Sequence, residues 1–254
     1  MPETVSQPET GSRKGVCLVI GAGDGVGGAI ARAFAGDGHP VCITRRARHL
    51  DQLEDLAQSI RADGGTAHAF GVDARSEAET IALFDKIEAE IGPLEVVVFN
   101  IGANVRFSIT DTTAQVFTKV WEMACFAGFL AGREAARLME PRGHGTILFT
   151  GATASVRGGN GFAAFASAKA GLRNLAQSMA RELGPKGIHV AHVIVDGAID
   201  GVFTRTNRPD ADALLAQNLI LRPEDIAANY LNLHHQSRSA WTHEMDLRPW
   251  SETW

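Results

Sequence analysis

A five-residue apolar run, VCLVI at residues 16–20, is followed at once by GAGDGVGG and then by the helix-like AIARAFAG. Five of the eight residues from Gly21 to Gly28 are glycine. Glycine lets the backbone turn tightly and come close to a bound group. The helix start beyond it offers unpaired amides and a positive dipole end. Strand, glycine turn and helix in that order form a cradle for a pyrophosphate. The same order commits the segment to a β-α unit, so the rest of the chain is read for repeats of that unit.

The repeats are present. Strand-length apolar runs occur at Val41–Thr44, Ala67–Val72, Glu95–Asn100, Gly145–Thr150 and Ile188–Val195, with a weaker seventh at Ala240–Met245. Several lack polar alternation, as strands covered on both faces do. Helix-like segments lie between them at Gly27–Gly36, Leu50–Asp63, Glu77–Ile91, Thr112–Met139, Phe162–Leu183 and Pro223–His234. Asp63-Gly64-Gly65, Gly92-Pro93 and Gly184-Pro185 punctuate their ends. No linker or internal repeat divides the chain. The pattern predicts an α/β fold: a single Rossmann-type doubly wound parallel sheet of about seven strands, with helices on both faces. Residues 1–14, polar and proline-containing, are expected to be a disordered tail ahead of one domain over residues 15–254.

Composition narrows the function. Of 254 residues, 45% are hydrophobic and 21% charged, and the net charge is −5. With no basic stripe, nucleic acid is not an expected partner. No apolar run approaches about 18 residues, so no membrane span is expected. Cys17, Cys42 and Cys125 sit in apolar runs without paired or metal-ligand spacing. They are expected as buried thiols in a reducing, cytoplasmic compartment, with no metal site.

The spacing Gly21-x3-Gly25-x-Gly27 resembles the TGxxxGxG loop of the short-chain dehydrogenase/reductase family, with Ile20 where threonine often stands. Further likenesses come in order along the chain. Asp73 in GVDARS resembles the acidic residue that holds the adenine amino group, with Ala74 beside it. FNIGAN, Phe99–Asn104, resembles the NNAG segment with Asn100 and Gly102 kept. Lys169 matches the lysine of YxxxK, and LAQSMARELGPKGIHV is typical of the family's next helix and strand. The resemblance runs from about Gly15 to the C-terminus. It implies a bound nicotinamide dinucleotide, a small-molecule substrate and a homo-oligomer, tetramer or dimer, built on helices near Thr112–Met139 and Phe162–Leu183. Gly23, Asp24 and Val26 fall within the loop that would hold the dinucleotide. Ile199 stands where a backbone group meets the carboxamide, after an Asp196 that replaces the usual proline. Residues near 200–221, with Arg205 and Arg208, correspond to the variable substrate lid.

The second strand ends in Thr44-Arg45-Arg46, with no carboxylate for the ribose hydroxyls. Arginine there can fork onto a 2′-phosphate, which favours NADP(H) over NAD(H), although Asp24 in the loop opposes it. At the catalytic positions the chain departs from the family. The tyrosine position is Phe165, the serine position Ala152, and the asparagine position Ala124, four before Gly128. Only Lys169 remains. Thr153 and Ser155 flank the serine position, and Lys169 itself becomes an acid if desolvated. Tyr230, the one tyrosine, belongs to a helix expected to lie far from the site. His189 and His192 are expected on opposite faces of their strand and receive no role. Two readings are open. The first is an oxidoreductase with a degenerate site, acting on a small carbonyl, alcohol or activated alkene. The second is a non-catalytic dinucleotide-binding sensor, scaffold or partner subunit. The tryptophans of Trp241–Trp254 are expected to dock on a neighbouring subunit.

Overall fold

The structure is a computed structural model that describes residues 14–253. The expected tail therefore lies outside the described residues, apart from Lys14. Seven strands, β1 (Val16–Ile20), β2 (Val41–Arg45), β3 (Ala67–Gly71), β4 (Leu94–Phe99), β5 (Gly145–Thr150), β6 (Ile188–Val195) and β7 (Glu244–Leu247), form one sheet in the order β3-β2-β1-β4-β5-β6-β7. Every neighbouring pair is parallel. All five residues of β1 and all eight of β6 are buried, which explains their unbroken apolar sequence.

Alternate residues of each strand feed two cores. Cys17, Val19, Val96 and Val193 pack with Ile30 and Phe34 of α1 (Val26–Gly36), Leu53 and Ile60 of α2 (Leu50–Ala62), and Ile226 and Tyr230 of α9 (Pro223–His234). Val16, Leu18, Val97 and Ile147 turn to the other face. They meet Phe84 and Ile87 of α3 (Glu77–Glu90), Met139 of α5 (Ala127–Met139) and Leu172 of α6 (Ala163–Leu183). This is the predicted Rossmann-type doubly wound sheet, with helices on both faces.

Three details differ from the sequence reading. The seventh strand is Glu244–Leu247 rather than 240–245. Ser237 caps a short turn over Arg238–Ala240, and the Trp241 ring then stacks on His189, with ring centroids 4.8 Å apart. The chain is thus still turning until it reaches Glu244, and Trp241 packs within its own subunit. The helix expected over 112–139 is α4 (Ala114–Trp121), a π-helical turn Glu122–Phe126, and α5. The lid, read as a loop, carries two short helices, α7 (Val202–Asn207) and α8 (Ala211–Ala216).

Two histidines, one buried and one largely so, make this fold sensitive to acid. His234 lies against Phe34 and His39, and its Nδ1 is 2.9 Å from Thr146 Oγ1. Burial, reinforced by the neighbouring His39 charge, lowers its pKa to about 4. Burial likewise lowers His192 to about 4, against the opposing pull of Glu244. A folded pKa below the unfolded one gives stability that is complete above about pH 6.5 and lost as pH falls toward 4. Each group can account for up to about 3 kcal/mol. The melting temperature should be highest near neutral pH and fall by about 5 °C or more by pH 5. A melting temperature flat across that range in scanning calorimetry would contradict this account.

Candidate active site

The strands β1, β2, β4, β5 and β6 all end at one edge of the sheet. β1 and β4 are neighbours, and the chain leaves them in opposite directions. Parallel sheets open a crevice at such a point, beyond the carboxyl ends of the strands.

The glycine loop occupies that point. The N–H groups of Gly21 and Ala22 both donate to Thr44 O, at 3.0 and 3.1 Å. Asn100 Nδ2 donates to Gly21 O at 3.1 Å and so ties the end of β4 to the loop. Gly21 has φ +94°, which a side chain would resist. At Gly27 a Cβ would lie 2.4 Å from Gly21 O, so α1 starts where only glycine fits. No side chain caps the first amides of α1, and a Cβ on Gly25 would meet open space. Those amides remain available to an anion.

Two cavities share Arg45, Asn100, Ile101 and Gly102 in their walls. The smaller, about 250 Å³, is lined by Gly23, Arg45, Arg46, His49, Asp73 and Ala74. Its field is positive. Partial desolvation and the charges of Arg45, Arg48 and Arg46 hold His49 below its usual pKa. The Asp73 carboxylate enters this cleft already held by Arg75, whose Nε and Nη2 donate at 3.0 and 2.5 Å. Those bonds keep it below the usual carboxylate range. Asp24, with Gly25 and Val26, lines the larger cavity instead, so its carboxylate does not line the basic cleft.

The larger cavity, about 850 Å³, contains Lys169, Phe165, Ala152, Thr153 and Ile199 in its wall. Lys169 is 2% exposed. Its Nζ donates to Thr150 O at 2.8 Å and Ile101 O at 3.1 Å, which leaves one of its three N–H donors. Burial lowers its pKa to about 8. The Phe165 ring centroid is 6.0 Å from that nitrogen. Phe165 and Ala124 belong to one buried apolar cluster, against which Ala152 packs. Ala124 lies in the π-helical turn and is fully buried behind the cavity wall. Ile199 forms a bridge with Leu221 through the neighbouring Ala198 O and Asp200 N, so its own N–H stays outside that bridge.

The alternative hydroxyls divide. Ser155 Oγ accepts the Ala152 N–H at 3.1 Å and is buried, so it serves the backbone. Thr153 lines the cavity but donates to the Asp196 carboxylate. Tyr230 lies nearer than its place in the sequence suggests, because its hydroxyl is 2.7 Å from Thr150 Oγ1. It packs in the core of the opposite sheet face, fully buried, and burial raises its pKa. His189 and His192 point to opposite faces as expected. His189 lies against Trp241, and His192 Nδ1 is 3.1 Å from Glu244. Sequence reasoning missed Arg75, His49, Asn104 and Arg157 as wall residues. Arg157 was the most accessible of these to inference, since the β5–α6 loop must border the crevice.

The match to known proteins is extensive. The family model described as short chain dehydrogenase covers residues 15–212. A short-chain dehydrogenase/reductase of Armillaria gallica is 33% identical over 176 residues, 69% of this chain and 67% of the relative. The 3-oxoacyl-[acyl-carrier-protein] reductase MabA of Mycobacterium avium is 32% identical over 190 residues, 74% of this chain and 68% of the relative. A crystal structure of a short-chain dehydrogenase from Rhodopseudomonas palustris is 50% identical and superposes with a TM-score of 0.80, covering 93% of this chain and 99% of that one. A match running from the first strand into the lid, on a sheet that opens at its β1/β4 crevice, makes this protein a member of the short-chain dehydrogenase family of oxidoreductases.

Proposed function

We propose that this protein is an NADP(H)-dependent oxidoreductase with a degenerate Asn-Ser-Tyr-Lys set, in which Lys169 is the remaining proton donor. The supporting observation is a basic cleft and an apolar cavity that share a wall at Asn100–Gly102, with a buried lysine in the cavity wall. The residues fit the dinucleotide. Gly27 and Gly21 bring backbone against backbone, and the start of α1 has no side-chain cap. Gly23, Gly25 and Val26 would border the pyrophosphate, Arg45 and Arg46 the 2′-phosphate, and Asp73 and Ala74 the adenine end. Lys169, Asn100, Gly102 and the Ile199 N–H would border the nicotinamide end. When bound, the nicotinamide supplies or accepts a hydride.

The chain's own task is the proton. Reduction of a carbonyl leaves charge on oxygen, and Ala152 and Phe165 offer it no donor. Lys169 keeps one N–H outside its two main-chain bonds, and a group of pKa about 8 is mostly protonated at neutral pH. An activated alkene asks less of the site, since its charge develops on a remote oxygen and solvent can protonate carbon. A small carbonyl, alcohol or activated alkene is therefore the substrate class. In this reading residues 15–254 act as one domain with a lid near 200–221, in the cytoplasm and as a homo-oligomer. The exposed rings of Phe117, Trp121 and Phe129 on α4 and α5 support the assembly. The second reading, a dinucleotide-binding sensor, scaffold or partner subunit, draws on the apolar cluster that joins Ala124, Ala152 and Phe165.

Calorimetry should find NADPH bound more tightly than NADH. Arg45→Ala and Arg46→Ala should each remove about tenfold of that preference while leaving NADH affinity unchanged. Equal affinities in the unmodified protein would refute the cofactor assignment. A consumption screen split between ketones and activated alkenes tests turnover. The paired change Phe165→Tyr with Ala152→Ser should raise ketone reduction by about 10²-fold or more without altering NADPH affinity. Turnover that appears only in that variant would favour the second reading. For the unmodified protein, kcat/KM of reduction should fall as pH rises through about 8, because Lys169 then loses the proton it donates. A flat profile there would exclude Lys169 as the donor.

A further inference from the structure

We propose that the outer part of the larger cavity is a subsite for an apolar molecule that carries a carboxylate. The proposal rests on the reading of this cavity as the substrate site. Phe162 and Phe203 supply apolar wall there, and Asn104, Arg157 and Arg208 supply the polar lining.

The arginines have donors to spare. Asp196 is 2% exposed and accepts the Thr153 hydroxyl. It meets Arg157 through Nη2 alone, at 3.4 Å to each oxygen. Charge-assisted bonds ordinarily close to about 2.7–2.9 Å, so this contact orients the guanidinium without saturating it. Nε and Nη1 of Arg157 have no partner among the described residues. Arg208 meets Asp210 at 3.4 Å and makes no closer pair among the described residues. Arg205 differs, since it pairs at 2.7 Å with both Asp200 and Asp212 and braces the lid. Of the two lid arginines the sequence singles out, only Arg208 lines the cavity.

Charge and shape select the ligand. The chain carries a net −5. Its cavity wall nevertheless holds Arg45, Arg157, Lys169 and Arg208 against Asp24 and Asp200; Asp200 is paired with Arg205, while Asp196 and Asp210 face Arg157 and Arg208 only at 3.4 Å. Guanidinium donors left open in that wall favour an anion over a neutral group. A carboxylate presents two coplanar oxygens to a guanidinium fork. The phenyl rings ask for an apolar body behind it.

Octanoate and octanol, matched in length, test this by calorimetric titration into the full chain, with and without saturating NADPH. Octanoate should bind at least about tenfold more tightly, with the difference shrinking in high salt. Arg157→Gln and Arg208→Gln should each weaken octanoate about fivefold or more and leave octanol unchanged. Asp196→Asn keeps an acceptor for Thr153 and removes the charge that competes for Arg157. It should therefore tighten octanoate, an effect that damage to the fold cannot produce. Melting curves identify any variant that fails to fold, and the remaining variants then decide. Equal binding of acid and alcohol would overturn the proposal. So would folded arginine variants that keep full octanoate affinity. Failure of NADPH to bind would defeat the proposed function, while the titrations without dinucleotide would still decide this one.

Discussion

One ammonium group, held between two main-chain carbonyls, organises the site. Lys169 reaches from α6 to Thr150 O at the end of β5 and to Ile101 O just past β4. Taking a charge out of water costs several kcal/mol unless hydrogen bonds replace the lost solvent. Here two carbonyls replace part of that solvent, and both acceptors stand where strands have ended. The lysine thus fastens a helix to the mouth of the sheet. The same burial depresses its pKa, so its structural role and the proton-donor role proposed for it have one cause.

The apolar character around it is concerted. Ala124 is fully buried, and Phe165 and Ala152 pack in the same cluster. A polar side chain at Ala124, which is fully buried, would need a partner, and Phe165 and Ala152 offer none. In a low-dielectric wall a partly satisfied network is worse than none, because each orphaned group keeps its desolvation cost. Three apolar residues together therefore make a coherent wall where single losses would leave defects.

Much of this was legible in the sequence, for particular reasons. β1 and β6 could be read because strands covered on both faces cannot alternate. The glycine loop could be read because backbone contact leaves only one residue type at Gly27. Part of what escaped was set by contacts remote in the chain, and part by local geometry that composition does not mark. The ring of Trp241 finds His189, which delays β7. Thr150 links Tyr230 to the floor beneath Lys169 across the thickness of the sheet. Arg75 claims the Asp73 carboxylate, a pairing that two-residue spacing permits but does not compel. The π-helical turn at Glu122–Phe126 leaves no mark in an apolar period that reads as plain helix.

The last strand shows how the sheet stops growing. β7 is four residues long and carries Glu244 and Asp246. Glu244 is clamped by Arg173 at 2.6 and 2.7 Å, and Asp246 is paired with Arg248. An open strand is a template on which another chain can add. A short margin crowded with paired charges is a poor template, so the same residues that fasten β7 also discourage unrelated polypeptides from zipping onto that flank.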